Sequence, residues 1–174
     1  MKQYMILVLV GKDRPGIVDE VSTFLFEKGA NMEDSKMAGL GGRFCVLSLF
    51  SAAPEHMAEI KERIHELGER GLEVSLHPAE APPGLGGQGA PQLRMQVVAM
   101  DHPGIVQKVV RILHDSHVNI QSLTTHVTPA PLSGAPLFDL LLDAQVPEGV
   151  SMGTVKERLH ALAAQEDLDL RFFT

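Results

Sequence analysis

Apolar positions along the chain fall into short alternating or continuous runs separated by helical stripes. Residues 3–10 are β-branched and apolar on both faces and stop at Gly11, which predicts a buried central strand. Ile17, Val18, Val21, Phe24 and Leu25 follow at i, i+1, i+4, i+7 and i+8, one face of a helix that Gly29 ends. A strand over 30–38 then turns at Gly39, Gly41 and Gly42 into a hairpin partner over 43–51. Pro54 opens a second helix with Met57, Ile60, Ile64 and Leu67 on its inner face, and Leu72–Leu76 alternates as a last strand. The order β-α-β-β-α-β predicts an α+β, ferredoxin-like unit: a four-stranded antiparallel sheet with two helices on one face.

The pattern then repeats. Asp13-Arg14-Pro15-Gly16-Ile17-Val18 returns 88 positions later as Asp101-His102-Pro103-Gly104-Ile105-Val106, and residues 13–32 and 101–120 share 8 identities in 20. Lys61–Leu67 and Lys156–Leu162 agree at five of seven positions. The repeat predicts two ferredoxin-like domains in tandem, 1–77 and 93–174. Between them, 78–92 holds four prolines and four glycines and reads as a linker. The second copy predicts strands over 93–100, 118–128, 137–145 and 167–173 and helices over 103–117 and 150–165. Its middle hairpin, Pro129 to Pro136, is about six residues longer than its counterpart.

Charge narrows the function. The net charge is −7, shared as −3 over 1–77 (9 basic, 12 acidic) and −4 over 78–174 (6 and 10). No basic stripe is present, which argues against direct nucleic-acid binding. One cysteine, Cys45, rules out an internal disulfide framework, suits a reducing cytoplasm, and reads as a structural thiol. No run approaches a membrane span and no signal peptide precedes the first strand, so a cytoplasmic protein is expected. His114 and His117 lie three apart near a helix end with His126 beyond. No carboxylate or cysteine completes a metal set, so no metal is expected. Nor is there a Ser-His-Asp set, P-loop or dinucleotide fingerprint, so no catalysis and no cofactor are expected.

The Asp-x-Pro-Gly corner is the candidate site. It presents helix-start amides and a dipole that favour an anion, beside a carboxylate. With Asn31 at the start of the next strand, an amino-acid zwitterion fits: carboxylate on the amides, ammonium on Asp13 or Asn31. The same residues also suit plain structure, Asp13 as helix N-cap and Asn31 as a left-handed turn residue. The three-part pocket requires the corner and the asparagine to be close.

The segments Asp13–Val18 and Gly29–Lys36 resemble the ACT domain, a small amino-acid-binding regulatory module. The first copy matches closely from Gly11 to Phe44, and the second more loosely at Asp101, Pro103 to Val106 and Asn119-Ile120. Two such domains and nothing else resembles the layout of the glycine cleavage system transcriptional repressors. That resemblance implies a ligand such as glycine and action through a DNA-binding transcription factor. It assigns ligand contacts to Asp13, Arg14, Gly16, Ile17 and Asn31, and to Asp101, His102, Gly104, Ile105 and Asn119. Where amino-acid-binding members carry asparagine this chain has Asp13, and where they carry histidine two positions earlier it has Gly11 and Ala99. Formyltetrahydrofolate deformylases begin with a similar segment, but here a second copy follows instead of a catalytic domain. The remaining alternative is a ligand-free scaffold. Each helix-free sheet face further suggests a homodimer.

Overall fold

The computed structural model describes residues 1–82 and 91–173. The chain divides into two compact units, Met1–Gly84 and Leu85–Thr174. The first contains β1 (Gln3–Lys12), α1 (Ile17–Glu27), β2 (Asn31–Leu40), β3 (Arg43–Ala52), α2 (Pro54–Arg63), α3 (His65–Glu69) and β4 (Leu72–Ala79). The second contains β5 (Gln92–Met100), α4 (Ile105–Asp115), β6 (Asn119–Pro129), β7 (Pro136–Gln145), α5 (Met152–Glu166) and β8 (Asp169–Phe173). Both sheets are antiparallel, in the orders β2-β3-β1-β4 and β6-β7-β5-β8. The tandem βαββαβ plan is thus present in both halves. The segment read as a linker keeps strand at its ends, since β4 runs to Ala79 and β5 begins at Gln92. Its middle, 83–90, lies outside the described residues.

Strand alternation sets the cores. In β1, Met5, Leu7 and Leu9 face the helices and are buried, while Ile6, Val8 and Val10 face away. They meet Val21, Phe24 and Leu25 of α1 and Met57 and Ile60 of α2 in one cluster. Met95, Val97, Val109, Leu113, Leu140 and Leu159 build the equivalent cluster of the second unit. At 0–2% exposure, side chains such as Leu7, Leu113 and Leu140 each contribute about 1.5–3 kcal/mol of burial.

Three local differences from the sequence expectation have physical causes. The helix expected from Pro54 to Leu67 breaks at Ile64, where Leu67 N bonds Ile64 O at 3.2 Å. This is a tightened three-residue bond, and α3 continues beyond it. Helix α4 starts at Ile105 rather than 103 because Gly104 is left-handed (φ 103°), and it ends before His117, also left-handed (φ 55°). His117 fills the cap position held by Gly29 (φ 66°) in the first unit. Ala30 N to Leu25 O (3.0 Å) and Val118 N to Leu113 O (2.9 Å) close the same C-terminal motif. Among the described residues no helix is long and apolar enough to cross a membrane.

Candidate functional site

Each corner is a strand end turned into a helix by a glycine that only a residue without a Cβ adopts easily. Gly16 (φ 95°, ψ −7°) and Gly104 (φ 103°, ψ −11°) are the N-cap residues, and neither helix start is capped by a side chain. Asp13 is therefore not the N-cap that its residue type allows. Its backbone N bonds Gly42 O at 3.0 Å, which ties the corner to the tip of the β2–β3 hairpin. A Cβ on Gly39 would lie 3.5 Å from Asp13 Oδ2, so the carboxylate rests against that bare stretch of β2. Asp101 N likewise bonds Pro136 O at 3.0 Å. The first corner opens on a cleft of about 310 Å³ whose lining includes Asp13, Arg14, Gly16 and Phe44. Ile17 and Ile105 are 2% exposed. Their side chains belong to the cores, so only their backbone amides can serve a ligand.

The corners differ in charge. In the first unit Arg14 gives two bonds to Glu20, at 2.5 and 2.9 Å, and Asp19 joins Glu20 in the first helical turn. The hydrogen bonds from Arg14 hold the Glu20 carboxyl below its usual value. The dipole of α1 is thus already served by its own acids, which oppose an incoming carboxylate. In the second unit the equivalents of Asp19 and Glu20 are Gln107 and Lys108, and the first turn carries no acid. Lys108 Nζ lies 2.5 Å from Glu166, and His102 Nδ1 lies 3.1 Å from Pro103 O. With no acid in its first turn, the second corner opposes an incoming carboxylate less than the first.

The asparagines are not at the corners. Asn31 pairs with Ser51, which pairs with Tyr4 at the beginning of β1. Asp13 follows the far end of β1, nine residues on, about 30 Å along a strand. Asn119 pairs with Gln145, which pairs with Gln92, again nine residues from Asp101. The expectation that Asn31 sits beside Asp13, or Asn119 beside Asp101, within a unit is therefore wrong. A strand-helix-strand crossover carries the chain back to the end where it started, so β2 begins where β1 begins. Asn31 is instead engaged locally. It and the Ser51 hydroxyl (2.6 Å) both bond the Glu33 carboxylate, which these bonds hold below its usual value. Glu33 occupies a bulge between Met32 and Asp34, and Gln121 occupies the matching bulge in β6. The charge reversal from Glu20 to Lys108 escapes a search for shared motifs, although the 88-residue offset carries its signal.

Known proteins share this fold. A model of the ACT domain matches residues 3–77. The chain is 24% identical to the glycine cleavage system transcriptional repressor of Escherichia coli (strain K12) over 165 residues, 94% of this chain and 86% of that protein. It is 33% identical over 72 residues to a UPF0237 protein of Methanopyrus kandleri, 40% of this chain and 80% of the relative. The crystal structure of an unknown protein from Galdieria sulphuraria superposes with a TM-score of 0.83 at 27% identity, covering 99% and 98% of the two chains. A structure provisionally described as a glycine cleavage system transcriptional repressor superposes at 0.72 with 24% identity, over 99% and 97%, and shares the fold.

Proposed function

Since the chain belongs to the ACT-domain family, we propose that it is a non-catalytic, amino-acid-responsive cytoplasmic regulator that acts through a partner transcription factor. It is a regulatory ACT protein in type, similar to the glycine cleavage system transcriptional repressor. The observation that carries the amino-acid reading is the uncapped helix start at Gly104, with Asp101 beside it and no acid in the first turn. A small zwitterion would set its carboxylate on the amides of Ile105 to Gln107 and its ammonium on Asp101. The ligand site is then two-part, amides and acid, without an asparagine from the same unit. The acidic balance of both halves favours a protein partner over DNA itself.

Magnitude limits the affinity. A ligand the size of glycine, at roughly −1.5 kcal/mol per heavy atom, cannot exceed about −7.5 kcal/mol, a dissociation constant of a few micromolar. Calorimetric titration with a panel of amino acids tests the reading. Heat is expected from at least one of them, lost in Asp101→Ala and kept in Asp13→Ala. No heat from any at about 10 mM removes the sensor and leaves the ligand-free scaffold. One observation favours that second reading: the Asn31 carboxamide is already committed to Glu33.

A further inference from the structure

The two units share a sheet plan, yet their helix-free faces differ in chemistry. In the first unit the central rows of this face are Ile6 beside Leu49, Val8 beside Leu47, and Val10 beside Cys45. All six are apolar or thiol side chains; Leu47 is 45% exposed and the other five are half-buried. In the second unit the same rows read Arg94 beside Asp143, Gln96 beside Leu141, and Val98 beside Asp139. There the polar groups satisfy one another: Arg94 Nε donates to Asp143 at 2.6 Å and Gln96 Nε2 to Asp139 at 2.9 Å. A face of that kind is at ease in water. An apolar sheet face is not, since each Å² left wet forgoes about 25 cal/mol of burial.

The flanking strands indicate what covers it. Across β2, β3, β1 and β4 the successive rows are Asp34-Leu49-Ile6-His77, Lys36-Leu47-Val8-Ser75 and Ala38-Cys45-Val10-Glu73. A two-fold axis along the strands, between β1 and β3, lays this face on its own copy with β2 over β4 and β3 over β1. Apolar rows then meet apolar rows, and Asp34 stands opposite His77 of the second copy. Lys36 comes within one row of that copy's Glu73. A two-fold across the strands also pairs His77 with Glu73, but it sets Lys36 on Lys36 and leaves Asp34 over Ala38. Both axes keep the two sheets aligned, as packed sheets require, so the charge pairing is what chooses the first. The geometry points to the helix-free face of the first unit as a homodimer interface closed by a two-fold along the strands. The equivalent rows of the second unit are polar and paired among themselves, so they offer no such surface.

Sedimentation velocity on the full chain, with circular dichroism to check folding, tests it. The expected result is a dimer that Leu47→Asp converts to a folded monomer, while Leu141→Asp in the equivalent row of the second unit leaves it dimeric. Asp34→Lys is expected to weaken association at least ~10-fold, and adding His77→Glu to recover most of the loss. This pair decides the matter if Leu47→Asp unfolds the unit. A monomeric parent chain, a dimer broken by Leu141→Asp instead, or a dimer indifferent to Asp34→Lys would overturn the interface as drawn.

Discussion

Replacing Phe50 by alanine is expected to destabilise the first unit by about 3–5 kcal/mol. Phe50 is 0% exposed, lies on the helix-facing side of β3, and pairs in register with Met5 of β1 and Met32 of β2. Removing the ring leaves a cavity that the flanking strands cannot close without giving up their ladder. A unit of this size holds roughly 4–12 kcal/mol in total at about 0.05–0.15 kcal/mol per residue, so much of its stability would go. Hydrogen exchange should show protection falling across β1 to β4, while amides of β5 to β8 keep theirs, because each unit has its own core cluster. Equal loss in both units would contradict the separation of cores. The position equivalent to Phe50 is Ala144, also 0% exposed, so one copy uses a ring where the other uses a methyl. Such compensated packing is one way two copies diverge in sequence while holding one topology.

The second large effect is expected from Gly104→Val. At φ 103° a β-branched side chain costs at least ~1–2 kcal/mol, and relaxation toward negative φ would turn the first helical amides away from the corner. A melting shift of roughly 4–8 °C per kcal/mol follows for a unit this size, together with loss of any amino-acid heat. Gly16→Val carries the same backbone strain (φ 95°) but should leave the ligand signal in place, because the first corner is crowded by Asp19 and Glu20. If Gly16→Val removed the heat and Gly104→Val did not, the charge argument that separates the corners would be wrong.

Periodicity made most of the fold legible, because strand and helix spacings are local properties of the chain. The apolar stripe from Ile17 to Leu25, the Gly29 cap and the extra residues between Pro129 and Pro136 all appear where their residue types place them. The break at Ile64 left no mark, since a three-residue hydrogen bond needs no special side chain. The pairing of Asp13 with Asn31 failed for a topological reason. Motif residues close in sequence on either side of a crossover helix end at opposite ends of the sheet, whatever their chemistry. The unlike open faces needed the register of β3 against β1, which brings Leu49 to Ile6 in one unit and Asp143 to Arg94 in the other. Within the corner, the glycine and the acid were readable, and the electrostatic inequality of the two copies was readable only by comparing Glu20 with Lys108.

The decisive measurement is an amide chemical-shift titration of the full chain with individual amino acids. Movement of the Ile105, Val106 and Gln107 amides, with Asp101 following and the Val18 and Asp19 amides lagging, is the predicted result. Shifts centred on Asn31 and Asn119, or corner amides that stay still at about 10 mM of every amino acid, would contradict it.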